Sequence, residues 1–352
     1  MSQTEKEILG GAAGLAGAIA IESGTQLGEI EIKARGYWEQ VWIRLRRDKI
    51  AIAGGVTIIL LLLAGFAGAP IAQAILGHSP NDIYSFSAVN QTTLLPVGPW
   101  TWIQDTLHGA TPNSKTLFIL GSDSSLGRDE FLRLLYGAQV SFEVALLSTF
   151  GAVSLGVLLG AIAGYYRGWV DTIVSRVTEI TMAFPALLFI IALASTVGPR
   201  LNDITFGFLA KGVFTLFVIF SVFGWFYPAR IVRAVVLSLR EKEFVEAARM
   251  TGAGDWRIIR SHILPRLIAP IIVYSTLAVA TFILGEAGLS FLGVGIPLPT
   301  ASWGNLLASA PDYYTLQPWL MVWPGLAVLV TTLSFNLLGD GLRDAFDPRS
   351  AH

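Results

Sequence analysis

Six long stretches of this chain contain no Asp, Glu, Lys or Arg: Ile50–Asn81, Val144–Tyr166, Ile180–Pro199, Gly212–Ala229, Leu267–Gly285 and Tyr313–Gly339. A helix needs about 20 apolar residues to cross the hydrocarbon core of a bilayer, and each run approaches or exceeds that length. The expected fold is an all-α membrane protein with six transmembrane helices. At 53% hydrophobic and 14% charged residues, the chain lies well outside ordinary soluble composition. A seventh uncharged run, Ala287–Pro311, is interrupted by Gly288, Gly293, Gly295, Pro297 and Pro299. It is expected to be an irregular or re-entrant outer segment packed against protein.

The distribution of charge sets the expected orientation. Arg44, Arg46, Arg47 and Lys49 directly precede the first run, and basic residues stay cytoplasmic. Alternating from that end leaves only Lys115, Arg128, Arg133, Arg200 and Lys211 outside among 24 Lys and Arg, with 19 inside. A nucleic-acid patch is the competing reading of the first arginines, but the adjoining span already accounts for them. The expected layout is a cytoplasmic tail over 1–49, a first transmembrane helix over 50–69, and an extracytoplasmic loop with an interfacial helix over 70–140. A five-helix core over 141–342 and a cytoplasmic tail over 343–352 follow. Within the first tail, Ile8–Ile21 is too short and too rich in Gly and Ala to span, lacks the basic start of a signal peptide, and reads as a loose or interfacial helix.

The polar island Glu246–Pro265, EAARMTGAGDWRIIRSHILP, separates two apolar runs and has Arg230, Arg233, Arg240, Lys242, Arg249, Arg257, Arg260 and Arg266 in or beside it. Arg240–Thr251 is expected to form a short helix, Gly252 to end it in the left-handed region, and Gly254-Asp255 to start a second helix. A helix–glycine turn–helix with small Ala247 and Ala248 suits insertion into a partner's groove.

Glu246-Ala247-Ala248, Gly252 six residues after the glutamate, Ile263 and Leu264-Pro265 resemble the EAA loop of permease subunits of bacterial and archaeal ABC importers. Gly121-Ser122-Asp123 through Gly127-Arg128-Asp129 is similar to the GTDxxGRD signature of the dipeptide, oligopeptide and nickel permeases of the OppC/DppC-like type. Gly164-Tyr165 to Asp171, Ala183-Phe184-Pro185, Glu286–Gly295, Ser302-Trp303-Gly304, Trp323-Pro324-Gly325, Phe335–Arg343 and Asp347-Pro348-Arg349 extend the resemblance over Tyr84 to Arg349. It implies a type I importer (MetI-like) core with an added N-terminal span and an ATPase-coupling loop over 240–265. It also implies a second, different permease chain, two cytoplasmic ATPases, an extracytoplasmic binding protein and a prokaryotic cell membrane. The cargo implied is di- or oligopeptides; nickel, opines or sugars remain open. The chain departs from the pattern at Ser122 for threonine, Gln139 for arginine and Glu179 for aspartate, and in a longer outer loop around Val97–Thr116.

Chemistry other than transport finds little support in the residues. With no cysteine, thiol nucleophiles and zinc–thiolate sites are excluded. His78, His108, His262 and His352 have no metal-ligand spacing, and no acid–base or nucleophilic constellation converges. No catalytic residue, cofactor or metal is expected, and no nucleic-acid partner. Gly109–Thr116 misses a phosphate-binding loop, with Ser114 where glycine is required. Glu143 and Glu179 are expected at span ends in reach of water or headgroups, with substrate contact the second reading. Pro185, Pro270 and Pro324 imply kinks, and Trp169, Trp225, Tyr227, Trp319 and Trp323 interfacial anchors. An ion-coupled transporter would carry charges within its spans, and those of this chain are uncharged at their centres.

Overall fold

A computed structural model describes residues 36–105, 107, 114–201 and 209–347. Ile8–Ile21, His108, most of Gly109–Thr116, Pro348, Arg349 and His352 lie outside them. The chain divides into two units, Met1–Ile43 and Arg44–His352. Of the first, the described part is the opening of helix α1 (Tyr37–Arg47), with Tyr37, Trp38 and Trp42 exposed. Everything below concerns the second unit.

Helix α2 (Lys49–Leu76) starts where the Asp48 carboxylate caps Ile50 N–H at 2.9 Å and Ala51 N–H at 3.1 Å. Gly77, at φ 78°, ends it. A π turn at Ala64–Gly68 lies just ahead of Pro70, which has no N–H to continue the regular ladder. Helix α3 (Glu130–Tyr166) follows the outer segment, and α4 (Gly168–Ala183) and α5 (Ala186–Leu201) follow it in turn. Then come α6 (Val213–Gly224), α7 (Phe226–Leu239), the short α8 (Glu243–Met250), α9 (Asp255–Phe291), α10 (Trp303–Ser309) and α11 (Trp319–Phe346). Helices α2, α3, α9 and α11 are long and apolar enough to cross a membrane. The pairs α4–α5, bent by 87°, and α6–α7, bent by 41°, meet the same length and composition when each is taken together, which gives up to six spans among the described residues.

Three local expectations are revised. The run Ile180–Pro199 straddles the 87° break rather than forming one helix. Pro185 disfavours helix in the residue before it, and Phe184 is extended at φ −83°, ψ 144°. The interfacial helix expected within 70–140 is no separate piece: α3 runs unbroken from Glu130 through the following span. Third, the outer loop carries a two-stranded antiparallel hairpin, β1 (Thr101–Gln104) against β2 (Lys115–Phe118). Lys115 and Thr116 of the phosphate-loop near miss are strand residues paired with Gln104 and Ile103.

The core is made by α3, against which α2, α6, α7, α9 and α11 pack. Small residues permit the close approach on which helix association in lipid depends. A Cβ on Gly156 would meet the Trp225 carbonyl oxygen at 2.7 Å, and one on Gly160 the Ala229 carbonyl oxygen at 2.5 Å. Phe142 sits at the centre, 5.9 Å from Trp303 and 6.3 Å from Phe335 between ring centroids. Many apolar side chains face outward instead, among them Phe150, Leu187, Leu188 and Leu329. Pro270 and Pro324 lie inside α9 and α11.

Candidate coupling site

The Glu246 island folds as a helix–turn–helix, shorter at its start than expected. Lys242 is extended at φ −86°, ψ 147°, so α8 begins at Glu243 rather than Arg240. Its end is a Schellman motif: Ala253 N–H donates to the Ala248 carbonyl at 3.0 Å and Gly252 N–H to the Arg249 carbonyl at 2.9 Å. Gly252 is left-handed at φ 80°. Gly254, extended at ψ 156°, starts α9 at Asp255. A π turn at Ile259–Ile263 again precedes a proline, Pro265.

The two faces of this element differ. Val245, Ala248, Ile258, Ile259 and Ile263 are buried in one apolar cluster with Ala161 and Tyr165 of α3, Val232 and Val236 of α7, and Leu267 of α9. Leu264 packs against the same cluster, and Pro265 is exposed. The outward face presents Glu246, Ala247, Gly252, Met250 at 82% exposure and Trp256 at 62%.

Tyr165 locks the turn to α3. Its hydroxyl donates to Asp255 Oδ1 at 2.6 Å, and the guanidiniums of Arg240 and Arg249 lie over its ring at 5.7 and 5.5 Å. Arg240 also donates to the Tyr165 carbonyl, and Arg266 lies 3.8 Å over the Phe244 ring. Arg233 of α7 clamps Asp171 of α4 with both nitrogens of one edge of its guanidinium. The sequence motif from Gly164 to Asp171 contains both Tyr165 and Asp171, but nothing local announces their distant partners. The exposed helix is thus packed against the ends of α3, α7 and α9.

At the other end of α3, the GSDSSLGRD segment is a latch. Asp123 accepts Arg128 Nε at 2.9 Å and lies 3.0 Å from Arg133 Nε. Arg133 reaches Asn81 Oδ1 at 2.9 Å and the Pro299 carbonyl at 3.1 Å. Asp129 caps α3 through Leu132 N–H at 3.0 Å, and its second oxygen lies 2.9 Å from His78 Nε2. Burial lowers the His78 pKa; the bond and charge of Asp129, with the Leu76 carbonyl and Asp82, outweigh it and leave the pKa raised. Ser122, where threonine was the common residue, donates to the Ala88 carbonyl at 2.8 Å and accepts Val97 N–H at 3.1 Å.

The buried carboxylates are structural in their contacts. Glu286, fully buried, accepts Ser141 and Ser290 hydroxyls at 2.7 Å each, and Ser290 Oγ in turn accepts Ile296 N–H at 3.0 Å. That network ties the end of α9 to the irregular segment, which itself carries α10. Glu143 lies several turns into α3, half-buried, with Gln139 donating to it at 3.0 Å. Glu179 is exposed and paired with Arg176 at 2.8 Å.

The family described as binding-protein-dependent transport system inner membrane component matches residues 156–352, more than half of the 352 residues. The N-terminal TM domain of oligopeptide transport permease C matches residues 36–95. The chain belongs to the binding-protein-dependent permease family. It is a multi-pass membrane transport subunit of the OppC/DppC-like type, with the family's helical core behind an added N-terminal span. The permease is 36% identical over 312 residues to the dipeptide transport system permease protein DppC of Alkalihalophilus pseudofirmus, across 89% of this chain and 90% of that one. A putative peptide transport system permease protein of Brucella suis is 44% identical over 233 residues, 66% of this chain and 73% of its own. The glutathione transport system permease protein GsiD of Pectobacterium atrosepticum is 33% identical over 312 residues, 89% of this chain and 91% of its own. Among solved structures, an inward-facing methionine ABC transporter MetNI matches with 18% identity and a TM-score of 0.48, covering 61% of this chain and 96% of that one.

Proposed function

We propose that this permease forms, with a second and different permease chain, the translocation pathway of an ATP-driven importer of di- or oligopeptides. An extracytoplasmic binding protein delivers the peptide, two separate ATPase chains supply the power stroke, and both termini lie in the cytoplasm. No catalysis or cofactor resides in this chain. The names of the relatives at 36% and 44% identity support the peptide class. Glu246, Ala247, Ala248, Gly252, Ile263, Leu264 and Pro265 are assigned to ATPase coupling.

One observation carries the mechanism: the turn is rigidly backed and openly fronted. Its apolar back is buried against the ends of α3, α7 and α9, while Met250 and Trp256 stand in solvent beside Glu246. An exposed apolar pair flanking one polar turn suits a partner surface. When the ATPases close on ATP, their motion passes through α8 into helices that already move with it, as rigid-body rocking of one subunit against the other.

The test uses two substitutions that leave the backing untouched. Nothing lies within 4 Å of a Cβ built on Gly252, so Gly252→Val acts through its positive φ alone, at about 1–3 kcal/mol of local strain. Glu246→Arg reverses charge on the open face. Both variants are expected to reach the membrane at normal levels and to lose peptide uptake, with the ATPase either dissociating on purification or hydrolysing ATP without response to peptide-loaded binding protein. Uptake at the normal rate in both would overturn the assignment.

A further inference from the structure

A small polar cavity of about 150 Å³ lies between α4 and α7, lined by Ser175, Thr178, Glu179, Met182, Arg230 and Arg233. Its charges do not balance. Arg233 is neutralised by Asp171, with one bond at 2.7 Å, and Glu179 by Arg176 at 2.8 Å. Among the described residues Arg230 meets only the Met182 thioether, at 3.5 Å, an uncharged and weak acceptor. One exposed guanidinium is therefore left without a carboxylate among the described residues, at the edge of two apolar helix pairs.

A second cavity, about 370 Å³ and mostly apolar, opens on the same two bent helix pairs, with Ile180, Phe184, Phe189, Phe223 and Trp225 around it. The two are neighbours: Thr178, Glu179 and Met182 alternate along α4 with Val177, Ile180 and Thr181, which line the other cavity, and Ala229 sits one turn from Trp225. The surface thus pairs an unneutralised planar cation with an aromatic cleft large enough for one bulky side chain. A ligand that satisfies both carries an oxyanion directly beside an apolar group.

We propose that Arg230 binds the terminal carboxylate of the peptide cargo, and that the adjoining aromatic cleft receives its last side chain. This rests on the peptide reading above and adds a subsite to it. A phospholipid, with a phosphate beside acyl chains, shares the chemistry, so the experiment separates the two sources.

The complete transporter, with partner permease, ATPases and binding protein, is reconstituted in phosphatidylcholine vesicles with or without phosphatidylglycerol. Uptake is measured for a peptide ending in Phe and for its C-terminal amide, with wild type, Arg230→Gln and Arg230→Lys. The binding protein's own selectivity is common to all three and cancels when acid-to-amide ratios are compared. The expected ratio is about tenfold lower in Arg230→Gln than in wild type, the loss of one charge-assisted hydrogen bond, and is largely restored by lysine, whatever the lipid. Phe184→Ala, which leaves the cation in place, should reduce the preference for Phe over Ala at the last position of the peptide. An unchanged acid-to-amide ratio in Arg230→Gln sinks the proposal. A defect that appears only on changing the phosphatidylglycerol content, with the ratio constant, assigns the arginine to a lipid headgroup and overturns it too. If wild type takes up neither peptide, the peptide reading itself fails and the subsite falls with it.

Discussion

At the scale of single residues, the tightest constraints in this permease are absences of side chain. Along α3, glycine recurs where α7 crosses, and at Gly160 an added methyl would meet backbone atoms of Ala229 at 2.5 and 3.0 Å. Backbone cannot rotate away as a side chain can, so the helices must separate and lose dispersion contacts along their length. Gly160→Ala is expected to cost about 1–3 kcal/mol, seen as a lowered melting temperature in detergent. Gly55, whose added methyl would find only Leu338 Cδ1 at 3.7 Å, is the control. Gly55→Ala should be neutral or stabilising by up to about 1 kcal/mol, because helical glycine is entropically expensive. Equal effects at the two positions would contradict the close-packed crossing.

Among elements, the outer segment behaves as a clasp on the start of α3, and His78 is its titratable member. The imidazole lies between Asp129, the Leu76 carbonyl and Thr116, whose hydroxyl is 3.1 Å from Nδ1. It stacks on Phe118 at 5.5 Å and meets Tyr84 edge-on, and Asp82 adds a further negative charge nearby. Its pKa in the folded protein is raised above the ordinary 6.5, so the folded state holds the proton more tightly than the unfolded one. The stabilisation this confers is complete below about pH 6.5 and declines as pH rises through the raised value. Hydrogen exchange of the hairpin and of the first turn of α3, corrected for intrinsic rates, should accelerate across that window. The step should vanish in His78→Gln, and a protection pattern independent of pH in wild type would remove His78 from the clasp's energetics.

For the whole molecule, the orientation proposed from the arginine and lysine distribution is open to direct chemical test. The protein contains no cysteine, so a single introduced thiol reports its own position. Thr92 lies exposed in the outer segment, and Lys242 exposed just before α8. Thr92→Cys is expected to react with an impermeant maleimide in intact cells, and Lys242→Cys only after the membrane is opened. Labelling of Lys242→Cys in intact cells would invert the topology, and with it the face on which the ATPases dock.

Most of the architecture was written in local chemistry. Uncharged runs of spanning length specify helices because lipid offers the backbone no other hydrogen-bond partner, and Gly252, Gly254 and Asp255 mark the turn between α8 and α9 because few other residues take those dihedrals or caps. Boundaries were less legible where a run of one composition conceals two helices, as at Phe184-Pro185, or where a polar start belongs to a long helix, as at Glu130. Only the tertiary structure decided which groups meet. Tyr165 finds Asp255, Asp171 finds Arg233, and Asp123 holds Arg128 and Arg133 while Glu286 collects two serines. It also left Arg230 with a thioether for company. Pairings between residues far apart in sequence depend on which helix faces touch. That is settled by steric fit along glycine-lined crossings, a property of surfaces in contact that no single segment carries.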